Sequence, residues 1–274
     1  MTARNPAVAG MFYPADETTL RSTIAGFLSA HAVLASPVPK AIIVPHAGYI
    51  YSGPIAASAY VRVAPAHDSI TRVVLLGPAH RVPFRGLAAT SADQFITPLG
   101  PVAIDQQAIR ELLALPQVKV FDDAHALEHS LEVQLPFLQV TLDTFSCIPL
   151  VVGDATADEV AEVIERLWGG PETLIVISSD LSHYQDYETA RDLDQATTRA
   201  IIAMRPEDIH YQHACGRIPV NGLLTVAHAH GMHADAIDLR NSGDTAGPRD
   251  QVVGYGAYAF ASVTDPSPAR RHRL

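Results

Sequence analysis

Ala41-Ile-Ile-Val-Pro45, Val73-Val-Leu-Leu76 and Leu174-Ile-Val-Ile177 are three short aliphatic runs bounded by Pro, Gly or Ser, and each is followed within a few residues by a histidine: His46, His80 and His183. Runs of this length and composition read as strands buried on both faces, the kind found in parallel sheets. An α/β sheet collects its ligands in the crevice at the carboxyl ends of its strands. The three imidazoles are therefore expected to gather at one edge, as a metal or acid/base site.

Around these runs, strand-like and helix-like patterns alternate, which places the chain in the α/β class. Asp16 is placed to cap a helix running to about Leu34, with Leu20, Ile24, Phe27 and Leu28 on one face. Further helices are expected over residues 54–63, 105–115, 131–140 with Pro136 at its middle, 187–204 and 220–229. Thr156 opens another, with Glu159 at the capping-box spacing. Additional strands are expected at 86–90, 102–104 and 148–152, with a closing strand at 251–263. No internal repeat or linker divides the chain, so one domain is expected. Residues 265–274 are a polar, proline-containing tail expected to lack fixed structure.

Composition narrows the function. A chain of 274 residues with 48% hydrophobic content can bury one large core. Its 19 Lys and Arg against 29 Asp and Glu give a net charge of −10, which repels phosphate backbones and anionic lipid, so neither nucleic acid nor a membrane is expected as a partner. Two cysteines, Cys147 and Cys215, are too few for a disulfide framework and suit a reducing compartment. The first residues do not resemble a signal peptide, and every apolar stretch is broken well short of the roughly 20 residues that span a bilayer. A cytoplasmic protein is expected.

The candidate residues fall into two groups. His46 and His80 hold the same position relative to their strands, and Gly48 and Gly53 are expected to let the backbone turn tightly beneath a ligand. His183 ends the polar segment Ser178-Ser-Asp-Leu-Ser-His183, in which Asp180 is placed to fix an imidazole tautomer or to ligate a metal. Ser178, Ser179 and Ser182 read as turn and capping residues. Cys215 precedes Gly216 and a helix, so helix amides and Arg217 are expected to lower its thiol pKa, whereas Cys147 reads as core filler. His129 opens a helix in Glu128-His-Ser-Leu-Glu132, a good place for a neutral imidazole. Glu128 and Glu132 read as first-turn acids that complement the helix dipole. His228, His230 and His233 point in different directions and read as solvated surface. Chain position leaves open which side chains bind metal and which move protons.

Six segments together resemble the Memo family, known in prokaryotes as AmmeMemoRadiSam system protein B. They are Asn5-Pro-Ala-Val-Ala-Gly-Met-Phe-Tyr-Pro14, Pro45-His-Ala-Gly-Tyr-Ile-Tyr-Ser-Gly53, Gly77-Pro-Ala-His80, Glu128-His-Ser-Leu-Glu132 with Gln134-Leu-Pro-Phe137, Ser178-Ser-Asp-Leu-Ser-His183 and Cys215-Gly-Arg217. That family is similar in fold to the class III extradiol dioxygenases, whose non-haem iron is held by two histidines and a glutamate. The resemblance implies a three-layer αβα sandwich around a mainly parallel or mixed sheet, a Memo-like domain over residues 1–264, and His46, His80 and Cys215 as metal ligands. It implies an acid/base role for His183, with His129 and Asp180 as further catalytic candidates. Cys215 stands where those dioxygenases have a carboxylate, and thiolate suits copper or zinc as well as iron(II), so the ligand set does not select the metal.

Three functions are compatible with such a site. An iron(II) dioxygenase-like enzyme would oxidise a phenolic or other small substrate, with a neighbouring histidine shuttling the proton. A zinc hydrolase would use a metal-bound hydroxide. A non-catalytic protein would use the metal pocket as a redox-sensitive docking surface. The family name adds an AMMECR1-like domain and a radical-SAM enzyme as expected partners.

Overall fold

The computed structural model describes residues 2–32 and 36–262, which form one 12-stranded mixed sheet flanked by helices, a three-layer αβα sandwich. In chain order the strands are β1 (Ala3–Arg4), β2 (Ala41–Val44), β3 (Arg72–Pro78), β4 (Leu87–Ala89), β5 (Gln94–Thr97) and β6 (Gly100–Ile104). There follow β7 (Val118–Val120), β8 (Ser146–Val152), β9 (Thr173–Ser178), β10 (His183–Gln185), β11 (Met232–Asn241) and β12 (Val252–Ser262). The helices are α1 (Glu17–Ser29), α2 (Tyr49–Val63), α3 (Gln106–Leu112), α4 (Asp123–Ala126), α5 (Leu135–Thr141), α6 (Ala157–Arg166), α7 (Tyr187–Ile202) and α8 (Arg217–Ala229).

Strands β6, β8, β3, β9 and β2 are neighbours in that order and all parallel. Every residue of β2 and β9 is buried, which is why these strands are continuous aliphatic runs with no polar alternation. Antiparallel β12 closes one side against β2, and antiparallel β5 closes the other against β6. One group of helices, α1, α2 and α5, packs together and against β2 and β12, while α8 packs on α6 and against β3 and β9.

This topology positions the site. Strand β9 lies between β3 and β2, with Ser178 in register with Val44 and Ile177 with Leu76. Adjacent strands are about 4.8 Å apart, so the loops leaving β3 and β2 start roughly 10 Å from each other with the β9 loop between them. That separation is one that two imidazole side chains can bridge.

Several element boundaries differ from the sequence expectation for identifiable reasons. Helix α2 begins at Tyr49, a turn before residue 54, because Pro54 inside it costs a single backbone hydrogen bond that tertiary packing tolerates. The 131–140 segment is a 3-10 turn, Glu132–Gln134, passing into α5, which puts Pro136 in the first turn of that helix instead of at its middle. Residues 217–219, ahead of the helix expected at 220–229, are the first turn of α8, where proline is accepted because first-turn amides have no helical acceptor. Strand β11 carried no apolar run because it alternates buried Met232 and Ala234 with exposed His233 and Asp235. The expected caps form: Asp16 accepts from Thr19, Asp105 from Ala108, and Thr156 with Glu159 closes a capping box. The helix expected to run to about Leu34 ends earlier, at Ser29, where the backbone N–H of Ala30 closes the last turn on the Phe27 and Leu28 carbonyls; residues 33–34 and the tail at 265–274 lie outside the described residues. Among the described residues no helix is long and apolar enough to cross a membrane.

Candidate metal centre

Pro45 follows the last paired residue of β2, and His46 comes directly after it. The His46 backbone N–H donates to Asp180 Oδ1 at 2.7 Å, tying the loop after β2 to the loop after β9. Its ring Nδ1 lies 3.1 Å from Ser178 Oγ. The Ser178 hydroxyl donates to the Ser130 carbonyl at 2.6 Å and accepts from the Gln134 side-chain amide at 2.8 Å. With its one proton already given, Ser178 can only accept from His46, so Nδ1 carries the hydrogen and Nε2 presents a bare lone pair.

His80 reaches the same outcome through a carboxylate. Its ring Nδ1 lies 2.9 Å from Glu128 Oε1 and its backbone N–H donates to Oε2 at 2.6 Å. A carboxylate only accepts, so the His80 hydrogen sits on Nδ1 and Nε2 is free. Glu128 Oε1 also accepts from the backbone N–H groups of His129 at 3.0 Å and Ser130 at 2.9 Å. Burial would raise the Glu128 carboxyl, but the His80 ring and these N–H donors outweigh it and hold the pKa down to about 2.

Cys215 arrives from the other direction, just before α8. Its Sγ is 3.4 Å from His46 Nε2 and 3.9 Å from Ser179 Oγ, and its backbone N–H donates to the Asp180 carbonyl at 3.3 Å. Gly216 makes this approach possible, since a Cβ there would lie 2.6 Å from that of Ser179. One ligand atom each from His46, His80 and Cys215 lies within 4.8 Å of the other two. His80, Glu128 and His129 form a second group within the same limit.

The remaining candidates surround this cluster. The His129 ring stacks on His80 with centroids 4.7 Å apart and lies 5.5 Å from His46. Its buried Nδ1 is 3.4 Å from Glu128 Oε1 yet makes no hydrogen bond. Asp180 Oδ2 is 4.0 Å from His46 Nε2, so Asp180 anchors the His46 backbone, while Ser178 sets the tautomer. His183, on β10, donates Nδ1–H to the Leu181 carbonyl at 2.8 Å, which leaves Nε2 as its second ring nitrogen for a substrate. His228, His230 and His233 are exposed, and Cys147 is buried in β8.

Electrostatics favour neutral imidazoles at His46 and His129. Burial, then the neighbouring His80 and His129, holds His46 well below the usual histidine range, with Glu128 opposing less strongly. Burial likewise lowers His129 and raises Asp180. The expected lowering of the Cys215 thiol is overturned: burial pushes it well up, the Asp180 charge adds to this, and the hydrogen bonds with the Asp180 backbone, Ser179 and Gly216 are weaker. Arg217 is not among the groups that lower the thiol and lies over the Tyr211 ring, 5.1 Å from its centroid. Two imidazoles whose Nδ1 hydrogens are committed elsewhere and whose Nε2 atoms face a common point, beside a thiol that a cation would ionise, are a donor set that fits a divalent transition metal.

Three further expectations are corrected. Glu128 and Glu132 are buried and bind, respectively, His80 and the N-terminal lead: Glu132 pairs with Arg4 and accepts from Ala7, Val8 and Tyr13. Ser178 is part of the site instead of a capping residue, and Ser179 touches both Cys215 and Gly216. Gly48 has an ordinary φ of −56° and Gly53 packs against the Phe27 ring, so neither lies beneath a ligand for conformational reasons. Glu128 had a signal in the sequence, an acid adjacent to a candidate histidine; Ser178 and Gln134 had none.

Fold and cluster together define an α/β sandwich with a candidate transition-metal centre at the carboxyl edge of its parallel strands. The family described as Memo-like protein matches residues 4–259, and the chain belongs to the Memo family. A MEMO1 family protein of Aquifex aeolicus is 38% identical over 275 residues, covering 95% of this chain and 100% of the relative. MEMO1 family proteins of Metallosphaera sedula and Ignicoccus hospitalis are 34% and 37% identical, each covering 99% of its own length and 94% and 95% of this chain.

Proposed function

We propose that this Memo-family chain is a metalloprotein whose ion is held by His46, His80 and Cys215, with a dioxygenase-like site acting on a phenolic or other small substrate. The observation that carries the reading is the convergence of those three donor groups within 4.8 Å, with the Nδ1 protons of both imidazoles already committed to Ser178 and Glu128. Iron(II) is the first assignment, with copper or zinc compatible with the same donors. The ion when bound would supply Lewis acidity and open positions for small ligands.

The protein's own groups supply the rest. With Nδ1 committed to the Leu181 carbonyl, His183 offers Nε2 as the acceptor for a substrate hydroxyl proton. Asp180 sits close enough to His183, His129 and His80 to stabilise positive charge that develops on them. His129 stacks on His80 and restrains its ring plane.

Elemental analysis of protein purified without oxygen tests the assignment. His46→Ala, His80→Ala and Cys215→Ala should each lower metal affinity by about tenfold or more, since even loss of a supporting partner reaches that size. His183→Ala should retain metal and lose only turnover. Oxygen consumption with a phenol by iron(II)-loaded protein is the expected activity, and full metal content in the first three variants would remove the ligand assignment.

A further inference from the structure

A cavity of about 540 Å³ opens beside the cluster, with Cys215 in its wall. Its volume is that of a small-molecule site. Phe84, Ile218 and Pro219 give it apolar sides, and two arginines line it. Arg85 is exposed and paired with Glu159 at 3.2 Å, next to exposed Asp154, so that rim is charge-balanced. Arg217 is different. It is partly buried and, among the described residues, pairs with no carboxylate, its guanidinium instead lying over the face of Tyr211. Stacking uses the face of a guanidinium and leaves its edge donors free, and those donors match a carboxylate bidentately. In a chain with 29 acids against 19 bases, a partly buried cation without an acid partner beside a cavity is a charge awaiting a ligand.

We infer that the substrate is a small organic carboxylate whose carboxylate pairs with Arg217 and whose apolar body runs along Phe84 and Ile218 toward Cys215. Which end reacts rests on the reading of the Cys215 cluster as the reactive site, whereas the anion contact does not.

Calorimetric titration of the full chain with benzoate, benzamide and phenyl phosphate tests this, on protein as purified and after metal stripping. Benzoate should bind saturably and more tightly than neutral benzamide, with an affinity that falls as salt rises. Arg217→Gln should weaken benzoate by about tenfold or more, the size of a lost charge-assisted hydrogen bond, and leave benzamide unchanged. Arg217→Lys, which keeps the charge and the stem, should fall between the two and serves if Arg217→Gln does not fold. Arg110→Gln, on α3 and outside the cavity, should have no effect, and metal stripping should leave the Arg217 dependence intact. Absence of saturable benzoate binding, equal binding by wild type and both Arg217 variants, or tighter binding of phenyl phosphate than of benzoate would overturn the inference. So would benzoate binding that vanishes on metal stripping and ignores Arg217, because the carboxylate would then sit on the ion. Arg217-dependent binding by a protein that holds no metal would sink the metal reading and leave this one standing.

Discussion

Glu128 shows how much a single side chain contributes to the candidate centre: it fixes the His80 tautomer, accepts three backbone N–H groups and stays ionised although buried. Glu128→Gln should keep the shape but lose the anion, lowering metal affinity by about tenfold, as measured by competition with a chromogenic chelator. Asp194 is a buried acid of another kind. It faces Gly254 and accepts from the Ser182 backbone, and burial raises its carboxyl to about 6. A group whose pKa is higher folded than unfolded binds more protons when folded, so its stabilising contribution is full below the unfolded value and is lost as pH rises through 6. The shift corresponds to about 3 kcal/mol between pH 4 and pH 7. Asp194→Asn should therefore flatten the pH dependence of the urea midpoint in that window and raise the midpoint at neutral pH. A wild-type midpoint that does not fall relative to the variant from pH 4 to pH 7 would contradict this. At the residue scale, the histidines and Cys215 were legible because each follows a strand or precedes a helix. Ser178 and Gln134 were not, because serine and glutamine have the same composition signal in a turn as beside a ligand.

Elements decide whether those residues meet. Helix α8 brings Cys215 against the end of β9 only because Gly216 has no side chain: a Cβ there would crowd both the Ser179 Cβ and its hydroxyl. Gly216→Ala should cost about 1–3 kcal/mol of stability from overpacking and weaken metal binding with it, read from denaturant midpoint and metal content together. Full metal content in a destabilised Gly216→Ala protein would separate helix placement from the site. The helix starts and the central strands were readable in advance, since caps and aliphatic runs are local signals. Strand β11 and the early starts of α2 and α8 were not, because pairing with β12 and tolerance of proline are settled by neighbours distant in sequence.

Across the whole molecule, the ion and the fold should stabilise each other, since the donor groups come from segments as far apart as His46 and Cys215 and the unfolded chain does not hold them together. At a free metal concentration of about 100 times Kd, the folded state should gain about 2.7 kcal/mol, seen as a melting temperature several degrees higher than that of the stripped protein. Cys215→Ala should lose that increment. A melting temperature indifferent to metal in the wild type would mean that the cluster does not hold an ion with useful affinity.

The alternation of aliphatic runs and amphipathic helices determined the α/β class on its own, because hydrophobic periodicity is written residue by residue. It also set the direction in which the histidines after β2 and β3 emerge, since a parallel strand delivers its next residues to the carboxyl edge. Tertiary structure decided the rest: that β9 lies between β3 and β2, that Glu128 and Ser178 orient the two imidazoles, and that partial burial and the nearby Asp180 raise the thiol of Cys215. Strand order, burial and hydrogen-bond partners depend on which distant segments touch, and no local pattern of residues encodes that.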